Sequence, residues 1–281
     1  MDRTLWIYWE NAPGTVQPPP HIRLCHRIMR ARATQDGYAL QLVTPENVRN
    51  YLPDLPTRLA LIALLPRGRI EALFFRARRR NAAIALRADY IRAFLLERHG
   101  GIYIDSDAVV LGDIKPYFEE VERAGFLVTR RSSHGKTHAS VGFYGSIAGG
   151  TVIREYAEAL RRRLTGPLDY DWNEVGAAML TPIVDRHADS VAVLNERQIQ
   201  PVTFEEADVV FNRTDLNLDN VIHPETRVFM LYNGPFKGRL AGLDEDALCA
   251  GPKLVSQAFR RGLGLDAPRS GQGTSQRPAQ A

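Results

Sequence analysis

The chain has 281 residues, 44% of them hydrophobic and 24% charged, with a formal net charge of +4. That size suits one large or two small domains with a real core, and the composition is ordinary for a soluble globular protein. No run approaches the ~20 apolar residues of a spanning helix, and two cysteines, Cys25 and Cys249, imply free thiols in a reducing compartment rather than a disulfide framework.

Residues 5–10, Leu-Trp-Ile-Tyr-Trp-Glu, are apolar and β-prone and read as a first strand. The apolar run is too short for a signal-peptide core and meets Glu10 and Pro13 at once, so a cytoplasmic protein is expected. Residues 11–14 break the strand, and Pro18, Pro19 and Pro20 stiffen the loop before a helix over 21–33. Residues 38–43 alternate as a second strand. Strand, helix, strand is the opening of a nucleotide-binding unit. A loop with a short helix over 47–52 follows, and 59–65 and 70–80 look helical.

Arginine clusters at 76–80 and 161–163 stand out, because Lys supplies only four of the 36 basic residues. Nucleic acid, solvated helix faces and an anionic membrane surface all suit such clusters. Few aromatics interleave with them and no nucleic-acid motif appears, so no nucleic-acid partner is expected.

The segment 81–111 is the most informative. Residues 82–99 lack Gly and Pro, and Ile84, Ala88, Ile91 and Leu95 recur at helical spacing, with Asn81 as a cap and Gly100-Gly101 as a stop. Asp89 and Arg92 lie one turn apart on this helix and share a face. A surface ion pair would explain them, and so would recognition of phosphate and sugar oxygens by the Arg fork. Residues 102–104 form a short apolar strand whose exit carries Asp105-Ser106-Asp107. Open α/β sheets bind ligands outside the carboxyl ends of their strands. Two carboxylates one residue apart repel unless a cation or proton lies between them, and their oxygens suit a hard divalent ion. A capped turn is the plainer explanation of the same residues.

Beyond the acidic loop, 114–117 begins a helix, 125–128 is a strand, and 130–137 is polar and Gly-containing, the composition of a mobile loop. A strand over 140–146 and a helix over 152–164 follow. Asn173 reads as a helix cap with Glu174 in the first turn. Residues 191–194 are strand-like, 204–220 irregular, and 226–232 a last strand leading into Asn233-Gly234-Pro235-Phe236-Lys237-Gly238. The Gly/Ser/Gln/Pro-rich end predicts a disordered tail over 263–281 behind one domain over 1–262.

The pattern A-D-Y-I-R followed by L-L-E-R-H-G-G-I-Y-I-D-S-D resembles the nucleotide-sugar glycosyltransferases with a DXD sugar-binding region. The resemblance is to their capsular-polysaccharide-synthesis branch, related to the large clostridial glucosylating toxins. It implies an α/β, Rossmann-like glycosyltransferase A fold with a mostly parallel central sheet flanked by helices. It also implies a retaining, Mn2+- or Mg2+-dependent hexosyl transfer. The donor would be a nucleotide sugar, a UDP-sugar before a GDP-sugar. The acceptor would be a hydroxyl of a bacterial surface glycan or a lipid-linked acceptor, with peripheral contact at the inner membrane face.

Residue by residue, the resemblance implies Asp105, Asp107 and Arg92 as catalytic. Trp9, Tyr8, Asp89, Arg92, Tyr103, Asp105, Ser106, Gly234 and Lys237 would bind the donor, Trp9 by stacking on the base while Trp6 belongs to the core. Asp107 and Asp105 would hold the metal. The His that related families use as third ligand is replaced here by Leu231 or Met230, leaving the Asn233 amide oxygen, a backbone carbonyl or water. The family's t-G-P-x-x-l-T element is matched by Gly176 and Leu180-Thr181, with Ala177 in place of the proline. Asn173 and Glu174 beside it are acceptor-side candidates, as is Asp171.

Two other readings remain at this point. A strand followed by D-x-D also occurs in haloacid-dehalogenase-like phosphatases, with Asp105 as nucleophile and Asp107 as acid/base. That motif usually lies on a first strand and needs a later G-D-x-x-x-D, which is absent here. The missing His also fits a non-catalytic nucleotide-sugar-binding protein.

Overall fold

Alternation along the first strand, β1 (Thr4–Tyr8), covers both faces of the sheet. Leu5 and Ile7 enter one core, while Trp6 and Tyr8 enter the other. The computed structural model describes residues 3–12, 14–61, 76–133, 135–167, 170, 173–203, 205–231, 239–240 and 242–265.

After β1 come α1 (Pro20–Asp36), β2 (Ala39–Val43), α2 (Val48–Tyr51), α3 (Arg58–Leu61) and the long α4 (Arg76–His99). Gly100 and Gly101, both at positive φ, turn α4 into β3 (Gly101–Ile104). β4 (Ala108–Val110), α5 (Lys115–Ala124), β5 (Phe126–Ser133), β6 (Lys136–Ser146), α6 (Thr151–Thr165) and α7 (Ala177–Arg186) follow. Then come β7 (Ala192–Leu194), α8 (Glu196–Ile199), α9 (Ala207–Asn212), β8 (Val228–Met230), α10 (Glu245–Ala250) and α11 (Leu254–Gly262).

Six strands form the central sheet in the order β2-β1-β3-β6-β5-β7. The β2/β1, β1/β3 and β5/β7 pairs are parallel, and only β6 runs against its neighbours. β4 and β8 form a separate antiparallel ribbon. Helices α1, α5 and α11 cover the Leu5–Ile7 side, and α4, α6 and α7 the Trp6–Tyr8 side. The expected α/β architecture with a mostly parallel sheet is therefore present.

Three sequence expectations are overturned. The polar stretch 130–137 is the end of a β5–β6 hairpin rather than a loop, paired Arg130↔Ala139 through Ser133↔Lys136. Its strand charges find partners across the chain: Arg130 pairs with Asp185, and Arg131 lies 3.9 Å from Glu196. The irregular region 204–220 contains α9. Residues 173–174 precede a helix that begins only at Ala177; Asn173 takes a left-handed φ of 69°, and its side chain accepts the Ala177 amide at 3.0 Å. Asn233, Gly234, Lys237 and Asp171 lie outside the described residues, as does the tail beyond 265.

Gly101 shows how tightly α4 and β3 are joined to β1. Its φ is +102°, and an added Cβ would stand 2.4 Å from the Thr4 carbonyl oxygen. Gly101→Ala is expected to destabilise the protein by at least ~2 kcal/mol, combining left-handed strain with a backbone clash. Urea unfolding measures it; a midpoint equal to wild type would overturn the constraint.

Candidate active site

The site forms where β1 and β3 end beneath the middle of α4, at Asp89 and Arg92. Side chains alternate along β3, so Tyr103 joins the core beneath α4 while Ile102 and Ile104 point to the α1 side. Asp105 follows in the Tyr103 phase and meets α4. The Asp105 amide donates to the Gly142 carbonyl at 2.8 Å, which holds the strand end against β6.

Arg92 organises this end. It is buried, 5% exposed, and each of its nitrogens meets a protein oxygen. Nε donates to the Ala88 carbonyl at 3.2 Å, Nη2 lies 2.9 Å from Asp89 Oδ1, and Nη1 lies 3.2 Å from Asp105 Oδ1 and also donates to the Val141 carbonyl. Its guanidinium lies over the Tyr103 ring, 4.9 Å from the centroid. Tyr103 is itself buried, and its hydroxyl hydrogen-bonds Asp105. In this arrangement Arg92 and Tyr103 hold carboxylates in place; neither presents its polar end to solvent. The Asp89–Arg92 pair is a buried pair, not a surface one.

Burial lifts the Asp89 and Asp105 carboxyls to about 6 each. Arg92 pulls both back toward the ionised form, and neighbouring carboxylates oppose it, Asp105 acting on Asp89 and Asp107 on Asp105. Arg92 stays firmly protonated: burial opposes its charge, but Asp105 and Asp89 outweigh that.

Glycines make the room. A Cβ at Gly142 would stand 2.7 Å from Asp105 Oδ2, and one at Gly176 would stand 2.8 Å from Asn173 Oδ1 and 3.4 Å from Asp89 Oδ2. The start of α7 is thereby brought beside Asp89, although 84 or more residues separate them in the chain. Glu174 is paired with Arg163, whose guanidinium stacks on Tyr170 at 4.0 Å.

Asp107 takes a different direction. A turn at 106–107 follows Asp105, and the Asp107 charge adds to burial in raising the Cys25 thiol of α1. It is half-buried, and its carbonyl accepts the Leu231 amide at 3.0 Å. Ser106 is buried, and its hydroxyl donates to the Tyr8 carbonyl at 2.9 Å, tying the acidic turn to β1. Trp6 is buried with its indole N–H on the Gly100 carbonyl, as expected of a core residue. Trp9 is half-buried; its N–H donates to Asn11 Oδ1 at 2.7 Å, and its ring meets His26 edge to face at 6.3 Å.

Sequence reading did not find the buried network beside Trp9. The Tyr8 hydroxyl donates to Glu10 at 2.9 Å, and Glu10 forms a two-point pair with Arg87 of α4. Glu10 next to an apolar strand and Arg87 within an apolar helix were the only signals, and neither names a partner.

A divalent ion fits this end on the chemistry of its donors. Asp105 Oδ1 is engaged by Arg92, and the Asp107 carboxylate that follows is an oxygen donor of the kind a hard divalent ion takes. At the positions matching the missing His, Leu231 is buried in the core, and the Met230 methyl would lie 3.3 Å from a Cβ on Gly142, beside Asp105. A thioether is a soft donor and a poor partner for such an ion. Among the described residues no three His, Cys, Asp or Glu side chains are grouped to hold a metal without a ligand's help.

Fold and site together define an α/β protein with a carboxylate pair at the carboxyl end of a central strand, one of them, Asp105, joined to Asp89 through the buried Arg92. The sequence model of the capsular polysaccharide synthesis protein family matches residues 1–160, more than half of the chain, and the chain belongs to that family. No curated protein matches.

Among solved structures, the PaToxG glycosyltransferase is similar at 12% identity and TM-score 0.42, over 95% of this chain and 88% of its own. A glycosyltransferase involved in glycosylation of the major capsid of PBCV-1 is similar at 8% identity and TM-score 0.45, over 85% and 98%. The glycosyltransferase GlyE of Streptococcus pneumoniae TIGR4 is similar at 15% and 0.44, over 93% and 60%. Likenesses this distant carry no argument about chemistry. Among the described residues no helix is long and apolar enough to cross a membrane.

Proposed function

We propose that the protein is a retaining, divalent-metal-dependent glycosyltransferase of the glycosyltransferase A fold. It would move a hexosyl group from a nucleotide sugar, a UDP-sugar before a GDP-sugar, to a hydroxyl of a bacterial surface glycan or glycolipid. The observation that carries this reading is the Asp89–Arg92–Asp105 array at the end of β3, with Asp107 one turn away.

Each residue then has a task. Trp9, fixed by Asn11, offers a ring face for the base. Asp105, aimed by Arg92, Tyr103 and the space at Gly142, accepts donor hydroxyls. Asp89 does the same from the α4 side, next to Gly176 and Asn173 where an acceptor would enter. Prior alignment of this kind converts binding into rate. Asp107 would hold Mn2+ or Mg2+, which when bound supplies Lewis-acid neutralisation of the leaving diphosphate. Lys237 would add a point charge near the same phosphates, with Gly234 allowing close backbone approach. The acceptor hydroxyl would attack from the leaving-group side, a course that requires no carboxylate nucleophile. A cytoplasmic location with peripheral contact at the inner membrane face accompanies this reading.

A donor panel tests it. Thermal unfolding with UDP- and GDP-sugars, with and without Mn2+, is expected to show one nucleotide stabilising the protein by ~2.7 kcal/mol at a hundredfold excess over its dissociation constant. Release of nucleoside diphosphate should accompany it. Binding without release would identify a non-catalytic nucleotide-sugar-binding protein, and no shift with any donor would reject the proposal.

Trp9→Ala is expected to weaken the free nucleoside diphosphate by about fivefold to tenfold, the ~1–1.4 kcal/mol of a well-stacked ring. Isothermal titration with UDP or GDP alone measures this. An unchanged dissociation constant in a folded variant would return Trp9 to a packing role.

A further inference from the structure

A second charged feature lies at the far end of the β4–β8 ribbon. β4 starts just after Asp107 and ends at Val110; the amides of Leu111 and Gly112 that follow both donate to the Arg227 carbonyl, at 2.8 and 3.3 Å. At about 3.3 Å per residue, this end stands roughly 13 Å from Asp107. A cavity of about 380 Å³ opens there, with Gly112, Asp219, His223, Thr226, Arg227 and Arg261 in its wall.

The polar groups of this wall are mismatched in one direction. Arg261 spends Nη2 on Asp219 Oδ1 at 2.6 Å, while its Nε is buried and has no acceptor. Arg227 donates Nη1 to the Pro224 carbonyl at 2.9 Å, and its stem packs where Gly112 lacks a side chain, 3.0 Å from the position of a Cβ. His223 Nε2 lies 3.0 Å from Arg197 Nη1. A guanidinium can only donate, so Nε2 accepts and the Nδ1 of His223 carries a proton. Two guanidinium groups and one carboxylate therefore line the cavity, and among the described residues one of their N–H donors is without an acceptor. Buried donors are nearly always satisfied, and the residue that carries this one, Arg261, belongs to the cavity wall.

We propose that this cavity binds a phosphate group, separately from the site at Asp105 and Asp107. Tetrahedral phosphate oxygens can accept from several directions at once, as Arg227, Arg261 and His223 require, and Arg forks pair with phosphate in two-point fashion. The cavity is larger than a bare anion needs, so a phosphate ester is the fitting form. The phosphate comes either from a soluble sugar phosphate or from a phospholipid headgroup at the membrane surface.

The test uses the full chain with inorganic phosphate and glucose 6-phosphate in one arm. Vesicles of phosphatidylcholine, with and without phosphatidic acid, form the other. Binding is followed by thermal shift and 31P line broadening for the soluble anions and by co-sedimentation for vesicles. Arg261→Gln and Arg227→Gln are each expected to weaken binding at least fivefold. Asp219→Asn is expected to strengthen it several-fold, because the anion no longer competes with the internal carboxylate for Arg261. That opposite sign separates the proposal from a folding defect.

Arginine-dependent binding of the soluble anions assigns a metabolite, and arginine-dependent sedimentation restricted to phosphatidic acid vesicles assigns a headgroup. If the three variants match wild type in both arms, the proposal is overturned. Because Asp107 is not part of this wall, Asp107→Asn should leave these affinities unchanged. The outcome is thus independent of the donor reading.

Discussion

Asp107→Asn is expected to lower Mn2+-stimulated donor hydrolysis at least a hundredfold, ~2.7 kcal/mol or more in the barrier, without unfolding the protein. The amide keeps the size of the carboxylate and removes its charge. The backbone that positions residue 107 is retained, since the Leu231 amide is held by the Asp107 carbonyl and not by its side chain. Asp107 is also half-buried rather than enclosed in the core. Asp105 is a poor replacement because Arg92 already engages it. Initial rates of nucleoside diphosphate release over a Mn2+ series, with thermal unfolding of the same samples, make the measurement. Undiminished turnover would remove Asp107 from the metal and leave its role as a turn residue.

Arg92→Met addresses the array itself, and its effect is expected in stability. Removing one partner of a buried ion pair typically costs ~3–5 kcal/mol, and here two carboxylates lose their cation at once. The pH dependence has a defined sign. Asp89 and Asp105 are lifted by burial from an ordinary 3.8 to about 6 even with Arg92 present. A carboxyl whose folded value is raised binds its proton more tightly in the fold. Its contribution is full below the unfolded value, and stability falls as pH rises through roughly 4 to 6. Without Arg92 both groups rise further, so the deficit of the variant should be largest at pH 7.5 and smaller at pH 5. Urea unfolding at the two pH values measures it. A deficit under 1 kcal/mol at pH 7.5, or one that grows toward pH 5, would mean that Arg92 does not carry the two carboxylates.

The two variants separate chemistry from architecture at one site. Asp107→Asn should leave stability nearly unchanged while removing turnover. Arg92→Met should change stability first and activity as a consequence of a displaced Asp105.

The local elements were legible from the sequence because their causes are local. The alternation in Leu5-Trp6-Ile7-Tyr8, the 3.6-residue recurrence through Ile84, Ala88, Ile91 and Leu95, and the Gly100-Gly101 stop depend on neighbours within a few residues. So does the shared face of Asp89 and Arg92, which the structure shows as an i,i+3 pair at 2.9 Å. The acidic motif and its place at a strand exit were legible for the same reason.

What the sequence did not determine depends on groups far apart in the chain. The polar run 130–137 reads as a loop because strand charges look unpaired, yet Asp185 and Glu196 supply their partners from α7 and α8. The two aspartates look alike in sequence, but Asp105 pairs with Arg92 on α4 while the Asp107 charge is also felt by Cys25 on α1. Gly142 and Gly176 carry no local sign of function; they matter because β6 and the start of α7 approach Asp105 and Asp89 within the radius of one methyl group. Side-chain periodicity reports which face a residue takes. Close packing of separate elements alone decides what that face meets.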